Sequence, residues 1–295
     1  MQQLCQYLEE IMIIDKETNK VYFSYLSKYD FKKELHDIQE VLKKHTIEWD
    51  YIHGTKDYFC RDYMPVQVRE KHLVQFKFYP DYLLKPDRLQ FFTKTQQVHK
   101  KNIFLNDFDI TFSDIILDGG NIVKWNDKVI ITDKIFTDNN NREKSKIIEE
   151  LEKLLECTII IIPAYPEEET GHADGLVRFI DENTVLTYNL EIESGKKLGW
   201  EDKFMETFQN NNITVKMLPA VSKKEDYKNW AYLNFLQVND VIILPVFNRE
   251  SDEVMIHFFK ETFNTTIETV YSQNILDQGG VLNCFTWSIK QGSDL

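Results

Sequence analysis

Glycine and proline are scarce in this 295-residue chain, at ten and seven residues. No Pro/Gly/Ser-rich stretch interrupts it, so no linker is read and one domain over residues 1–295 is expected. Only four cysteines occur, Cys5, Cys60, Cys157 and Cys284. They form no CxxC pair and have few histidines nearby, which excludes a structural zinc site and a disulfide framework. Scattered thiols in a chain of this length are typical of a reducing compartment, and a cytoplasmic location is expected. No run reaches the eighteen or so apolar residues of a membrane helix. Glu9, Glu10 and Asp15 surround the short apolar run at 11–14, and no basic start or small-residue cleavage site accompanies it, so no signal peptide is read. Basic residues are outnumbered 35 to 48, for a net charge of −13. That balance argues against nucleic acid or an anionic membrane as a partner. It suits a cationic ligand, although most acidic proteins are simply well solvated.

What is present is a core-forming pattern: 42% of residues are apolar and 13% aromatic, enough to exclude global disorder. Strand-like and helix-like segments alternate. Val21 to Leu26 and Ile47 to Ile52 read as strands on either side of a helix from Phe31 to Lys44, with apolar residues at Leu35, Ile38, Val41 and Leu42. Val66 to Tyr79 reads as a hairpin. Ile115 to Leu117, Asn121 to Trp125 and Val129 to Thr132 read as strands, the last two joined through Asn126-Asp127. A helix from Arg142 to Leu155 precedes the β-branched run Thr158 to Ile162. The order recurs with a hairpin (Leu176 to Ile180, Thr184 to Tyr188), a helix from Glu201 to Gln209 and a strand from Ile213 to Leu218. It recurs again with Ala231 to Val238, Val241 to Pro245, a helix from Asp252 to Thr262 and a strand from Thr266 to Tyr271. Val281 to Ile289 reads as the last strand. A strand, hairpin and helix unit thus appears about five times, each bringing a short polar or glycine-containing signature: Arg61-Asp62, Asp118-Gly119-Gly120-Asn121, Gly171-His172-Ala173-Asp174, Asn234, and Gly279-Gly280 before Cys284. If each unit delivers its signature at the same strand end, all five converge on one axis, as in a radial repeat.

Each signature has an ordinary reading. Cys284 could be a buried small hydrophobe, His172 a hydrogen-bonded core histidine, Asp118 to Asn121 a turn, and Arg61-Asp62 a local ion pair. The catalytic reading makes Cys284 a nucleophile that needs a partner to form its thiolate. On strand spacing His172 and Asp174 would face one pocket, giving an imidazole for proton transfer beside a carboxylate for a cation. Asp118 would orient the histidine.

Taken in order, Cys60-Arg61-Asp62-Tyr63-Met64-Pro65, Leu117 to Asn121, Gly171 to Gly175, Tyr232-Leu233-Asn234-Phe235 and Gly279 to Cys284 resemble the agmatine deiminase and bacterial-type peptidylarginine deiminase family. The resemblance runs from about residue 50 to 291. It implies a five-bladed α/β propeller (pentein) whose site lies on the pseudo-fivefold axis, and a hydrolase that deiminates a guanidino compound to a ureido product and ammonia. It implies Cys284 as nucleophile, His172 as general acid/base, Asp62 and Asp174 as the carboxylates that grip the guanidinium, Asp118 as the acid of the second motif, and Asn234 as a site residue. Arg61 and Trp287 are further candidates for substrate binding. Trp200 and Tyr63 could be apolar walls, and Glu167, Glu168 and Glu169 either attract an amine or form a solvated loop. No metal or cofactor is expected; the expected partners are a small cationic substrate and a second copy in a homodimer. Met64 in place of the usual glycine, Asn283 in place of histidine, and Trp287-Ser288 in place of a glutamine pair depart from the family pattern, and the chain is short for it. These departures bear on the substrate more than on the reaction class. Agmatine leads as substrate, with peptidyl or free arginine behind it. An amidinotransferase or dihydrolase on the same fold, a non-catalytic guanidinium-binding protein and a papain-like protease are the alternatives.

Overall fold

The computed structural model describes residues 12–189, 199–220 and 226–292. The readings at Cys5, Glu9 and Glu10 lie outside these residues. Among them are fifteen strands arranged as five three-stranded sheets. In each sheet the central strand pairs antiparallel with one neighbour and parallel with the other. The second sheet holds β3 (Val66–Arg69), β4 (His72–Lys77) and β5 (Asp109–Ile116); the third β6 (Val123–Trp125), β7 (Lys128–Thr132) and β8 (Thr158–Ile162). The fourth holds β9 (Val177–Asp181), β10 (Thr184–Thr187) and β11 (Thr214–Met217); the fifth β12 (Leu236–Val238), β13 (Val241–Val246) and β14 (Thr266–Tyr271). The first sheet is completed from the far end of the chain. Its central strand β1 (Lys20–Ser24) runs parallel to β2 (Glu48–Ile52) and antiparallel to β15 (Thr286–Ile289), with Val21 opposite Ser288 and Tyr22 opposite Trp287.

Local chemistry explains the unit. The tight hairpins between β6 and β7 and between β12 and β13 turn at Asn126 (φ 29°) and Asn239 (φ 49°), a side chain that tolerates this conformation better than most. A parallel pair cannot be closed by a tight turn and needs a crossover, here mostly helical. The helices Lys32–Lys44, Lys144–Leu155, Trp200–Asn210 and Glu250–Thr262 each bury an apolar stripe at helical spacing: Leu35, Ile38 and Leu42; Ile147, Leu151 and Leu155; Phe204 and Phe208; Met255 and Phe259. Central strands are covered on both faces, so they read as continuous apolar runs: Val129, Ile130 and Ile131, and Ile242, Ile243 and Leu244, are all fully buried.

Two sequence readings change. Val281 to Ile289 is not one strand: Leu282–Phe285 forms a single helical turn that carries Cys284, and only Thr286–Ile289 extends. Ala231 and Tyr232 end a 3-10 segment, so the strand expected from Ala231 begins at Leu236. The apolar composition that suggested strands there reflects burial beneath the turns.

Those turns are the joints of the ring. Immediately before the strand that pairs antiparallel with each central strand lies a short irregular or helical turn: Cys60–Tyr63, Gly119–Asn121, Ala173–Gly175, the Asn234 turn and Leu282–Phe285. Cys60–Tyr63 packs against Gly119–Asn121 and against Leu282–Phe285, and Gly119–Asn121 packs against Ala173–Gly175. Asn234 closes the circuit by bonding residues of the third and last turns, Asp174 and Cys284. Five equivalent turns therefore meet in a closed circle, which gives the five-bladed propeller.

β15 is the element that joins the two ends of that circle, and Trp287 is its anchor. Its indole N–H donates to the Pro65 carbonyl at 2.7 Å, and its ring packs on Tyr22 with centroids 5.3 Å apart. Trp287→Ala is expected to destabilise the protein by about 3–5 kcal/mol, read from urea unfolding midpoints.

Candidate active site

The turns open onto a cavity of about 910 Å³ lined by Asp62, His172, Asp174, Asn234 and Cys284. Asp174 is almost fully buried, and its Oδ2 is the hub. It accepts from the Asn283 amide at 2.7 Å, the Asn234 amide at 3.2 Å and the Cys284 thiol at 3.4 Å. The Asn234 side chain also donates to Cys284 Sγ at 3.2 Å, and its Oδ1 accepts from the backbone N–H groups of Cys284 (3.2 Å) and Val281 (3.1 Å). Cys284 is thereby gripped at its main chain and its sulfur by one asparagine from a different sheet.

Beside this group stands a second one. His172 Nε2 lies 3.1 Å from Asp118 Oδ2, and its Nδ1 lies 3.7 Å from Asp62 Oδ1. Asp62 Oδ1 also accepts from the Gly120 backbone N–H at 3.0 Å. A side chain at Gly120 has no room, since a Cβ there would fall 2.5 Å from His172 Nδ1 and 2.6 Å from Asp62 Oδ1. Glycine at this position is a matter of close approach, not of turn formation. Asn121 aligns the neighbouring turn: its Oδ1 accepts from Thr132 N–H (2.9 Å) and Ala173 N–H (3.2 Å), tying the third sheet to the turn that carries His172 and Asp174.

The electrostatics follow from the crowding of acids. Burial, reinforced by Asp118 and Asp174, pushes the Asp62 carboxyl up to about 8, against the opposing pull of His172. Burial alone would lower the His172 pKa, but Asp62, Asp118 and Asp174 outweigh it and raise it to about 10. Burial and the negative charges of Asp174 and Asp62 push the Cys284 thiol well above its ordinary value, with the Asn234 hydrogen bond opposing them. Asp118 Oδ1 is buried without a hydrogen-bond partner among the described residues. Acidic side chains outnumber basic ones along the cavity wall.

The turns bring together Cys284, His172, Asp62, Asp118, Asp174 and Asn234. Strand alternation is not the reason that His172 and Asp174 converge, since Ala173–Gly175 is a 3-10 turn. Arg61 and Trp287 are corrections: neither lines the cavity. Arg61 points behind the Cys284 turn, where its Nε donates to the Asn283 carbonyl at 2.7 Å, and Trp287 is core. Trp200 and Tyr63 are also core, bonded to the Ala164 and Asp57 carbonyls. The aromatic walls are instead Phe59, Tyr82, Phe91, Tyr165, Tyr188 and Trp230. Glu167, Glu168 and Glu169 do line the cavity, but Glu168 caps the backbone of Thr170 and Gly171, and Glu169 pairs with Lys85 and Arg88. Sequence reasoning missed Tyr82, whose hydroxyl donates to Asp118 Oδ2 at 3.1 Å. It treated Asn283 only as a departure from a pattern, although its amide holds Asp174.

Similar proteins carry the same architecture. The sequence profile described as Porphyromonas-type peptidyl-arginine deiminase matches residues 10–289. A curated Mycoplasma capricolum protein provisionally named agmatine deiminase is 24% identical over 227 residues, which is 65% of this chain and 62% of that protein, so the match spans less than two thirds of the relative's length. The C. jejuni agmatine deiminase structure superposes with a TM-score of 0.73 at 20% identity, covering 96% of each chain. The agmatine deiminase of Enterococcus faecalis gives 0.72 at 16%, covering 95% of this chain and 96% of that one.

Two measurements test the site as described. The fold holds protons on Asp62 and His172 that the unfolded chain, with reference values of 3.8 and 6.5, would release. The Asp62 contribution is complete below 3.8 and lost as pH rises through about 8; that of His172 is complete below 6.5 and lost through about 10. The urea midpoint should therefore fall from pH 6 to 10, and His172→Gln should flatten the upper part of that fall. Gly120→Ala should separate His172 from Asp62, which would appear as a shift of the His172 NMR titration midpoint.

Proposed function

The chain belongs to the Porphyromonas-type peptidyl-arginine deiminase family, and from that premise we propose that its cavity hydrolyses a guanidino compound to a ureido product and ammonia through a covalent adduct on Cys284. The observation that carries this reading is the convergence of the cysteine, the histidine and the carboxylates from separate sheets on one cavity where acidic side chains outnumber basic ones. A guanidinium supplies the opposing charge. It is flat, delocalised and rich in N–H donors, and burying it unpaired would be costly. Asp62 and Asp174 accept from its edge and fix its plane, leaving the central carbon open to Cys284 Sγ.

The same cation activates the nucleophile. Before substrate binds, burial and the charge of Asp174 keep the proton on the thiol. The substrate cation offsets that charge, so the thiol gives its proton to water and the thiolate forms when there is a carbon to attack. Sulfur attack forms a C–S bond and a tetrahedral centre. That centre collapses by breaking a C–N bond, and the departing nitrogen takes a proton from His172 and leaves as ammonia. The amidino-thioether that remains is attacked by water, which gives up a proton to neutral His172. Breaking the C–S bond frees the sulfur, which takes the hydroxyl proton of the collapsing centre, so the thiol is restored and the neutral ureido product leaves. Asp118 and Tyr82 hold the ring in place through both transfers. General acid/base help of this kind is worth roughly 10²–10⁴-fold.

Agmatine is placed first among substrates because the relatives bear that name. Arg88 at the cavity wall favours a second reading, in which it meets the carboxylate of free arginine. The free thiols of Cys60, Cys157 and Cys284 fit a reducing cytoplasm. No helix among the described residues is long and apolar enough to cross a membrane.

Agmatine, arginine, an arginyl peptide and small guanidines incubated with the protein should yield ammonia and a ureido product from at least one of them. Cys284→Ala should yield none, and equal background release from both proteins would sink the catalytic reading in favour of a binding protein. Asn234→Ala, which strips the sulfur of its donor, should lower kcat by about tenfold or more with a smaller change in KM.

A further inference from the structure

Beneath the cavity floor, on the side away from the substrate, lies a cluster of charge that the mechanism does not use. Arg178 on β9 is 4% exposed. Its Nη1 donates to the Phe235 carbonyl at 2.9 Å and reaches the Leu233 carbonyl at 3.5 Å, the two residues flanking Asn234. Its Nη2 donates to Asp15 Oδ2 at 2.9 Å, and its guanidinium lies 4.1 Å from the centre of the Phe235 ring. A second, one-water-sized space beneath the floor is lined by Arg178, Arg61, Asp15, Asp174 and Asn283. Asp174 thus faces the substrate cavity on one side and these cations on the other.

This placement does more than tie two turns together. A rigid guanidinium fork on the Asn234 turn fixes the residue whose side chain holds both Cys284 Sγ and Asp174. It also puts a permanent positive charge in a region of low dielectric under a sulfur that must become an anion. Among the described residues, Asp15 is the only acid bonded to that charge. We propose that Arg178 is a positioning residue for the reaction, latching the Asn234 turn and favouring the Cys284 thiolate from below, with Asp15 setting how much of its charge the sulfur feels. The proposal rests on Cys284 being the nucleophile.

Asp174 and Asp62 oppose the Cys284 thiolate, whereas the Arg178 guanidinium and a Cys284 thiolate attract one another. Burial acts to lower the Arg178 pKa, while Asp15, Asp174 and the Cys284 charge act to raise it. The coupling between Arg178 and Cys284 is therefore mutual.

The test is the rate at which iodoacetamide labels Cys284 at pH 8 in the full chain, followed by mass spectrometry of its peptide. It needs no turnover, so it stands even if no substrate is found in the guanidine panel. Arg178→Gln should slow labelling about tenfold, the effect of raising a thiol pKa by about one unit. Asp15→Asn, which leaves the arginine uncompensated, should speed it. If Arg178 were only structural glue, loosening the floor would change both rates in the same direction or neither, and either result overturns the proposal. Should Arg178→Gln fail to fold, Asp15→Asn decides alone: faster labelling supports the proposal, and an unchanged or slower rate refutes it.

Discussion

One carboxylate oxygen organises the molecule. Asp174 Oδ2 is buried and accepts from Asn283, Asn234 and Cys284, three groups supplied by two other turns of the ring. A buried carboxylate left without donors is expensive, so the turns must come together for the charge to be tolerated at all. Satisfying the acid and assembling the site are the same event. The same acid also faces the cavity on one side and Arg178 and Arg61 on the other, so it sits between the site and the charges beneath it.

The geometry around this acid explains why sparse residues matter so much. Gly120 is pinned by His172 and Asp62, Gly119 by the Arg61 carbonyl, and Gly280 by the Phe59 ring; a Cβ would approach these neighbours to 2.5 Å, 2.1 Å and 2.6 Å respectively. Ten glycines serve the whole chain, and several stand where two turns touch.

Much of this was legible in the sequence, for physical reasons. Strands and crossover helices declare themselves through burial, as the runs at Lys128–Thr132 and Val241–Val246 and the stripe Ile147, Leu151, Leu155 show. The motifs were legible because each unit repeats its polar turn ahead of its first strand. What escaped was detail fixed only by packing between units. Periodicity could not show that Cys284 rides a helical turn, because four residues are too few to display a period. It could not send Trp287 and Arg61 away from the cavity, because an aromatic ring and a guanidinium suit a binding wall as well as a buried joint. Tyr82 and Asn283 were passed over because their contacts span 36 and 109 residues of chain.

The first sheet is sewn from both ends of the ring, with β15 beside β1 and the Asn19 side chain bonded to both backbone groups of Gln291. The turn that carries Cys284 lies just ahead of the strand that closes the circle. The sulfur therefore sits beside the seam of the ring, and pairing between distant parts of the chain holds its turn in register with the acids across the cavity.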